Sequence, residues 1–459
     1  MNLQPSAGSL RDPQARVWTA DQRIFRIFSA NGARDWRAFA ETGLAEQLVV
    51  DGTLPRFWAV EDAALGIEVA PGGAVFEQER IPVISYPYEW SFFSLREAAL
   101  LHLRLLQRLL DVGFVLKDAA AENVQWTGQP AFIDMGSFVP RTKDGIWVGY
   151  AQFCATMLFP LMLTSYLDLP FQPWLRGCPS GITAVEAARL LGLRTVFRRG
   201  VLPHVLIQGF LQKLASGQSS AEFSALGLAD RQFKALLGRM VRLVESLSYC
   251  ATSAWSDYGN APPYSDAERI AKHGAIERWL TNLPHRPAIA WDIGANLGEY
   301  ARLAAGHCDR VVALEKDWAT ANRLASNLQA EGVSNVTPLV YDIVNPSPPS
   351  GWRNRERMSL EQRAAPDIVL SLAVLHHLCL GEGLRLPDVI DALVALAPLH
   401  IIEFVAPEDP MAAWLLGNKG ISRPDYTIDV FRSALGTKAR IVEEALVGPT
   451  RTLFLIEAS

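Results

Sequence analysis

The run Trp291-Asp292-Ile293-Gly294-Ala295-Asn296-Leu297-Gly298 constrains the fold more than any other stretch of this chain. A short apolar strand, Ala288 to Trp291, leads into it, and a helical pattern opens near Leu297. A strand, a glycine-bearing turn and a helix start together make a site for a nucleotide or nucleoside. Glycines let the backbone approach a ligand and take positive φ. The free N–H groups of a helix start face an anionic or polar ligand group. The spacing is Asp-x-Gly-x-x-x-Gly, not Gly-x-Gly-x-x-Gly, so this looser turn suits a ligand without a pyrophosphate.

The strands that follow carry polar residues at their ends. Strand two, Arg310 to Glu315, ends in an acid about twenty residues past the glycines, where a carboxylate can accept ribose hydroxyls. Strand three, Val336 to Tyr341, ends at Asp342-Ile343, placed for an adenine amino group and ring. Strand four, Asp367 to Leu372, runs into Ala373-Val374-Leu375-His376-His377-Leu378, and strand five, Leu399 to Phe404, carries Glu403. Arg440 to Leu446 and Arg451 to Glu457 read as a closing antiparallel pair.

This order resembles the class I S-adenosylmethionine-dependent methyltransferases from about Tyr264 to Ser459. The resemblance implies an α/β domain with a Rossmann-like seven-stranded sheet and S-adenosylmethionine as cofactor. Asp292, Gly294, Ala295, Asn296, Gly298, Glu315, Asp342 and Ile343 would bind it. Asp292 or Asn296 would meet the amino group, Glu315 the ribose (Asp317 being the alternative), and Asp342 and Ile343 the adenine. His376 and His377 lie where a histidine can take a proton from an acceptor hydroxyl or amine. No metal is needed there, because the cofactor supplies the activation. Asn345-Pro346 is no amino-methylating box, since it follows strand three rather than strand four.

The first half carries its own signature. Leu116-Lys117-Asp118 is followed by Asn123 five residues on, and then by Ile133-Asp134-Met135-Gly136. An Asp, an Asn and an Asp-x-Gly in that order resemble the catalytic and metal-binding loops of the protein-kinase-like fold. The resemblance implies an α+β kinase-like domain in which Asp118, Asn123 and Asp134 form a nucleotide and metal site, with Tyr86-Pro87-Tyr88-Glu89-Trp90 as the hinge. The departures are as informative. No glycine-rich phosphate loop precedes Arg23, and no strand lysine is present. Arg26 is the nearest cation, with Glu41 as a candidate partner. Three residues of a loop can equally serve turns and caps.

The boundaries read as a kinase-like domain over 1–255, a Gly/Pro/Ser linker over 256–264 and a methyltransferase domain over 265–459. The whole arrangement resembles a bacterial nodulation-protein-like family. Its supporting runs are Ser85-Tyr86-Pro87-Tyr88-Glu89-Trp90, Asn345-Pro346-Ser347-Pro348, Leu375-His376-His377-Leu378, Ile402-Glu403-Phe404-Val405 and Pro424-Asp425-Tyr426-Thr427.

Composition narrows the function classes. The 459 residues are 49% hydrophobic and 20% charged, enough for two or three ordinary cores, and the net charge of −5 gives no bulk attraction to nucleic acid. Five scattered cysteines have no metal-ligand spacing. The first residues show no basic start followed by an apolar core, so no secretory signal is expected, and the longest apolar run, Ala151 to Leu163, is too short to span a bilayer. The expectation is a cytoplasmic enzyme that methylates a small-molecule, glycan or lipid-linked acceptor. A bifunctional kinase–methyltransferase is the alternative, as is a methyltransferase with a non-catalytic kinase-like module. Gly351 to Arg357 interrupts the spacing between strands three and four, and its arginines suit an anionic acceptor or a solvated helix start. Pro407 to Tyr426 reads as an acceptor-side lid.

Overall fold

The computed structural model describes residues 3–9, 11–61, 66, 69–142, 147–210, 229–249, 265–420, 422–436 and 438–459. The linker expected over 256–264 lies outside them. The chain divides into two compact units: Met1–Ala251 with Pro348–Met358, and Thr252–Ser347 with Ser359–Ser459.

The first unit opens with a five-stranded antiparallel sheet: β1 (Gln4–Pro5), β2 (Ala15–Ala20), β3 (Arg23–Phe28), β4 (Phe57–Val60) and β5 (Ala74–Gln78), in the order β1-β2-β3-β5-β4. Between β3 and β4 lie helices Ala30–Ala40 and Leu44–Val50. The sequence suggests one helix around Asp35 to Val49. The structure breaks it at Gly43, which takes φ +71° where a side chain would be strained. Ser29 caps the first helix by accepting from Gly32 N. An aromatic cluster of Phe28, Trp36, Phe39, Phe57, Phe76 and Phe138 fills the space under the sheet. Helix Phe92–Asp111 follows, with buried apolar residues at helical spacing from Leu95 to Leu110 and His102 fully buried among them. Three-residue strands β6 (Phe114–Leu116) and β9 (Phe138–Pro140) pair around the hairpin of β7 (Val124–Trp126) and β8 (Pro130–Phe132).

The segment Pro348–Met358 lies in sequence between two strands of the second unit yet belongs to the first. Glu356 pairs with Arg11 at 2.8 Å, Arg357 reaches Glu122 at 3.0 Å, and Met358 N donates to the Tyr86 hydroxyl at 3.0 Å. Of the three arginines read as suiting an anionic acceptor or a solvated helix start, Arg357 thus has a carboxylate partner of its own.

The second unit is a seven-stranded sheet: β10 (Ile289–Ile293), β11 (Arg310–Glu315), β12 (Val336–Val340), β13 (Ile368–Ser371), β14 (Leu399–Val405), β15 (Ala439–Gly448) and β16 (Arg451–Ala458), in the order β12-β11-β10-β13-β14-β16-β15. The first five are parallel, and β16 runs antiparallel between β14 and β15. Apolar runs such as Val311 to Leu314 and Ile368 to Leu370 are buried on both faces, as central parallel strands require. Helices Glu299–His307, Trp318–Ala330 and Leu386–Val394 are the crossovers, and helix Asp266–Thr281 precedes the sheet, capped reciprocally by Ser265 and Glu268. Strand order reverses at β10, with β11 on one side and β13 on the other, so a crevice opens at their carboxyl ends.

Candidate functional site

The crevice is built by the turn after β10. Gly294 N and Ala295 N both donate to Leu314 O, at 2.8 and 3.0 Å, which ties the turn to β11. Gly294 has φ +70°, and a Cβ there would come within 2.7 Å of Val374 Cγ2. Gly298 has φ +80° and ends the turn as the residue before helix Glu299–His307. Both conformations strain any residue with a side chain. Asn296, also left-handed at φ +49°, donates its N–H to Glu315 Oε2 at 2.8 Å. Its own Oδ1 is buried without a partner. Glu315 Oε1 accepts from Asp317 N at 2.8 Å. Each carboxylate oxygen keeps a second lone pair. Burial nonetheless pushes the Glu315 pKa up, against those backbone bonds.

Asp292 is buried at the end of β10, and burial raises its pKa to about 7. Lys272 opposes the rise, and Glu315 adds to it. Asp342 ion-pairs with Lys316 at 3.1 Å and accepts from Val344 N at 3.0 Å, so part of its oxygen capacity serves the turn. Ile343 follows it half-buried.

After β13 the chain turns through Ala373, which takes φ +55° without being a glycine. Strain of this kind concentrates at ligand sites. His376 and His377 follow with ring centroids 4.1 Å apart. His376 is buried with neither ring nitrogen partnered, and burial, His377, Arg451 and Lys272 hold its pKa well below the usual value. Burial and Arg451 bring His377 down to about 4. Both rings are neutral at pH 7.

Two cations that the sequence reading missed complete the site. Lys272 Nζ meets Glu403 Oε2 at 2.6 Å, and Arg451 bridges Glu403 and Asp409 at 3.2 and 2.9 Å. The signal was available, because an acid inside the apolar strand Leu399 to Val405 requires a buried cation. It could not say which one. Among the described residues no cluster of three or more His, Cys, Asp or Glu is arranged to hold a metal.

In the first unit, Asp134 is the cap of the turn Met135–Ser137 and accepts from Gly136 N at 3.1 Å and Ser137 Oγ at 2.5 Å. Arg26 does not pair with Glu41. Its buried guanidinium donates to Gln78 Oε1 at 2.8 Å, Ile133 O at 2.5 Å and Asp134 Oδ1 at 3.4 Å. Burial raises the Asp118 pKa, and nearby Asp134 and Asp12 add to it while Lys117 opposes it. Asn123 is tied in by its carbonyl, which accepts from Ile133 N at 2.8 Å. Lys117 in turn donates to Asp12 at 3.4 Å and Gln14 at 2.9 Å, so the chain before β2 lies over the Asp118 loop. The stretch read as a hinge, Tyr86 to Trp90, is wholly buried, and Ser85 N just before it donates to Gln125 Oε1.

No family model matches the sequence. The nodulation protein NoeA of Rhizobium meliloti (strain 1021) is 33% identical over 461 residues, spanning 99% of this chain and 96% of that protein. The chain belongs to the NoeA family. Parts of this NoeA-family chain are also similar to solved structures. The N-methyltransferase NodS of Bradyrhizobium japonicum WM9 matches 42% of the chain and 98% of its own length, at 13% identity and a TM-score of 0.32. The magnesium protoporphyrin IX methyltransferase of Synechocystis PCC 6803, solved with bound SAH, matches 44% of the chain and 97% of its own length, at 17% identity and a TM-score of 0.32. The bifunctional kinase-methyltransferase WbdD matches 44% of the chain and 41% of its own length, at 16% identity and a TM-score of 0.30.

Proposed function

We propose that this NoeA-family protein is an S-adenosylmethionine-dependent methyltransferase whose cofactor lies in the crevice at the carboxyl ends of β10, β11 and β13. The observation that carries the reading is the Asn296–Glu315 pair. The turn backbone is latched to the strand-two carboxylate at 2.8 Å, while Asn296 Oδ1 stays buried and unpartnered. A buried acceptor without a partner costs about 1–3 kcal/mol unless a ligand supplies a donor. The residues fit the cofactor. Glu315 accepts from ribose hydroxyls, Asp292 and Asn296 accept from the methionine ammonium, and Asp342 and Ile343 take the adenine.

When bound, the cofactor supplies a methyl group on a sulfonium, activated for in-line displacement. The chain's own residues align the acceptor and hold the proton it loses. A neutral ring nitrogen of His376 or His377 can take that proton, though their low pKa makes each a weak base. The acceptor is a small molecule, a glycan or a lipid-linked molecule. Among the described residues no helix is long and apolar enough to cross a membrane.

For the first unit, the reading is a kinase-like fold that binds acceptor or partner without transferring phosphate. The Arg26–Asp134 contact supports it, because the aspartate expected to hold metal is turned to a guanidinium and a turn. The test is transfer of labelled methyl from S-adenosylmethionine into metabolite extract. Wild type should label a product, and Gly294→Val should not, because its side chain would collide with Val374 and fill the crevice. An equal yield from both would remove the site from the crevice.

A further inference from the structure

We propose that the face of the first unit built by residues 193–210 docks on an anionic lipid surface. This inference stands apart from the methyl-transfer reading. Between Glu186 and Glu222 the sequence holds five basic residues and no acidic one, in a chain whose net charge is −5. Four of them, Arg189, Arg194, Arg198 and Arg199, lie in the described part of that stretch. Among the described residues no carboxylate pairs with Arg194, Arg198 or Arg199. The Arg198 guanidinium instead sits 5.8 Å from the centre of the Tyr166 ring. Arg239 on helix Asp230–Ser246 adds a further cation near His204: burial first, and then this guanidinium, lowers the His204 pKa.

The same stretch exposes large apolar side chains. Phe197 is 99% exposed and Leu193 79%. In the helical run 201–210, Val201, Val205 and Gly209 turn inward, while Leu202, Ile207 and Phe210 face out. Such side chains do not stay in water without cost, and grouped exposure of this kind marks an interaction surface. Two features choose lipid over a protein partner. Phe197 is followed directly in the chain by Arg198 and Arg199, and all three side chains are exposed. That geometry places an apolar tip below the headgroups and cations at the phosphate level, as interfacial segments do. The charge is of one sign and unpaired, which complements an anionic leaflet.

The experiment is co-sedimentation of the full chain with vesicles of phosphatidylcholine alone and of phosphatidylcholine mixed with phosphatidylglycerol, at low and high salt. The full chain should partition onto the mixed vesicles only, and less so at high salt. Neutralising each of Arg198 and Arg199 to Gln should lower the partition about fivefold, because an arginine near an anionic surface contributes about 1 kcal/mol. Phe197→Ser should weaken binding while leaving its salt dependence in place. Val50, also bare at 88% exposure but far along the chain, is the control, and Val50→Ser should change nothing. All these side chains are exposed, so an unchanged thermal melt certifies the fold. Absence of binding to mixed vesicles at low salt would overturn the proposal, as would binding that Val50→Ser weakens as much as Phe197→Ser. So would a dimer in sedimentation velocity that Phe197→Ser dissociates without any vesicle binding, which would assign the face to a second copy of the chain.

Discussion

Lys272 and Glu403 meet inside the second unit at 2.6 Å, with side chains 5% and 0% exposed. Arg451 takes the other Glu403 oxygen and continues to Asp409, so helix Asp266–Thr281, β14, β16 and the start of helix Pro410–Lys419 are joined by one buried chain of alternating charges. Such a chain is weak evidence for stability as a whole, but breaking it is expensive.

Lys272→Met should therefore lower the unfolding free energy by about 3–5 kcal/mol, because it leaves one net negative charge buried. Adding Glu403→Gln should recover part of that loss, since the second change removes the stranded charge. Urea unfolding of the two single variants and the double variant measures the coupling. Additivity within about 0.5 kcal/mol would show that the pair does not act as a unit.

Asp292 should trade stability for binding. Its folded pKa of about 7 lies above the usual carboxylate range, chiefly through burial. Between about pH 4 and pH 7 the native state then holds a proton that the unfolded state has released. Stability falls as pH rises through this window and levels off above it. Asp292→Asn removes the penalty, so it should raise the melting temperature at pH 8 and flatten this part of the pH profile. The same change should weaken S-adenosylmethionine, whose ammonium group needs the charged carboxylate. Wild-type affinity should also drop as pH falls below 7. A melting temperature lowered at pH 8 by Asp292→Asn would contradict the assignment.

Glu315 and Asp317 should separate by function under the proposed cofactor site. Glu315→Ala should cost about 1.5–3 kcal/mol of cofactor affinity through lost charge-assisted bonds to ribose. Asp317 caps helix Trp318–Ala330, its Oδ1 accepting from Thr320 N at 2.7 Å, so Asp317→Ala should cost about 1 kcal/mol of stability and little affinity. Calorimetry beside thermal melts reads both. The reverse pattern would move the ribose contact two residues along the chain.

What could be read from the sequence follows the range of the forces involved. Strands β10, β11 and β13 were legible because strands buried on both faces are largely apolar runs, and the β15–β16 pair because the Gly448-Pro449-Thr450 turn between its two runs is local. The turn at Gly294 and Gly298 was legible for the same reason, since positive φ names its own residue type. Lys272 and Arg451 were not, because their partner Glu403 lies 131 and 48 residues away and nothing local marks either cation as buried. The placement of Pro348–Met358 was hidden likewise. Arginines at Arg353, Arg355 and Arg357 look alike in sequence, and only tertiary structure puts Arg357 on Glu122.

The first unit should not turn over ATP at ordinary kinase rates. Phosphoryl transfer rests on positioning and on neutralising charge with metal and cations. Here Asp134 is committed to Gly136 N, Ser137 Oγ and Arg26, and Lys117 is held by Asp12 and Gln14. The strand cation itself is anchored by Gln78 and the Ile133 carbonyl, so neither it nor the aspartate is poised for phosphate or magnesium. Magnesium-dependent ATP turnover by the full chain should stay well below about one per second. Arg26→Met should destabilise the unit by stranding Asp134 beside Asp118 and Asp12, and it should not create activity. A turnover near one per second that Asp134→Ala abolishes would instead make the protein bifunctional.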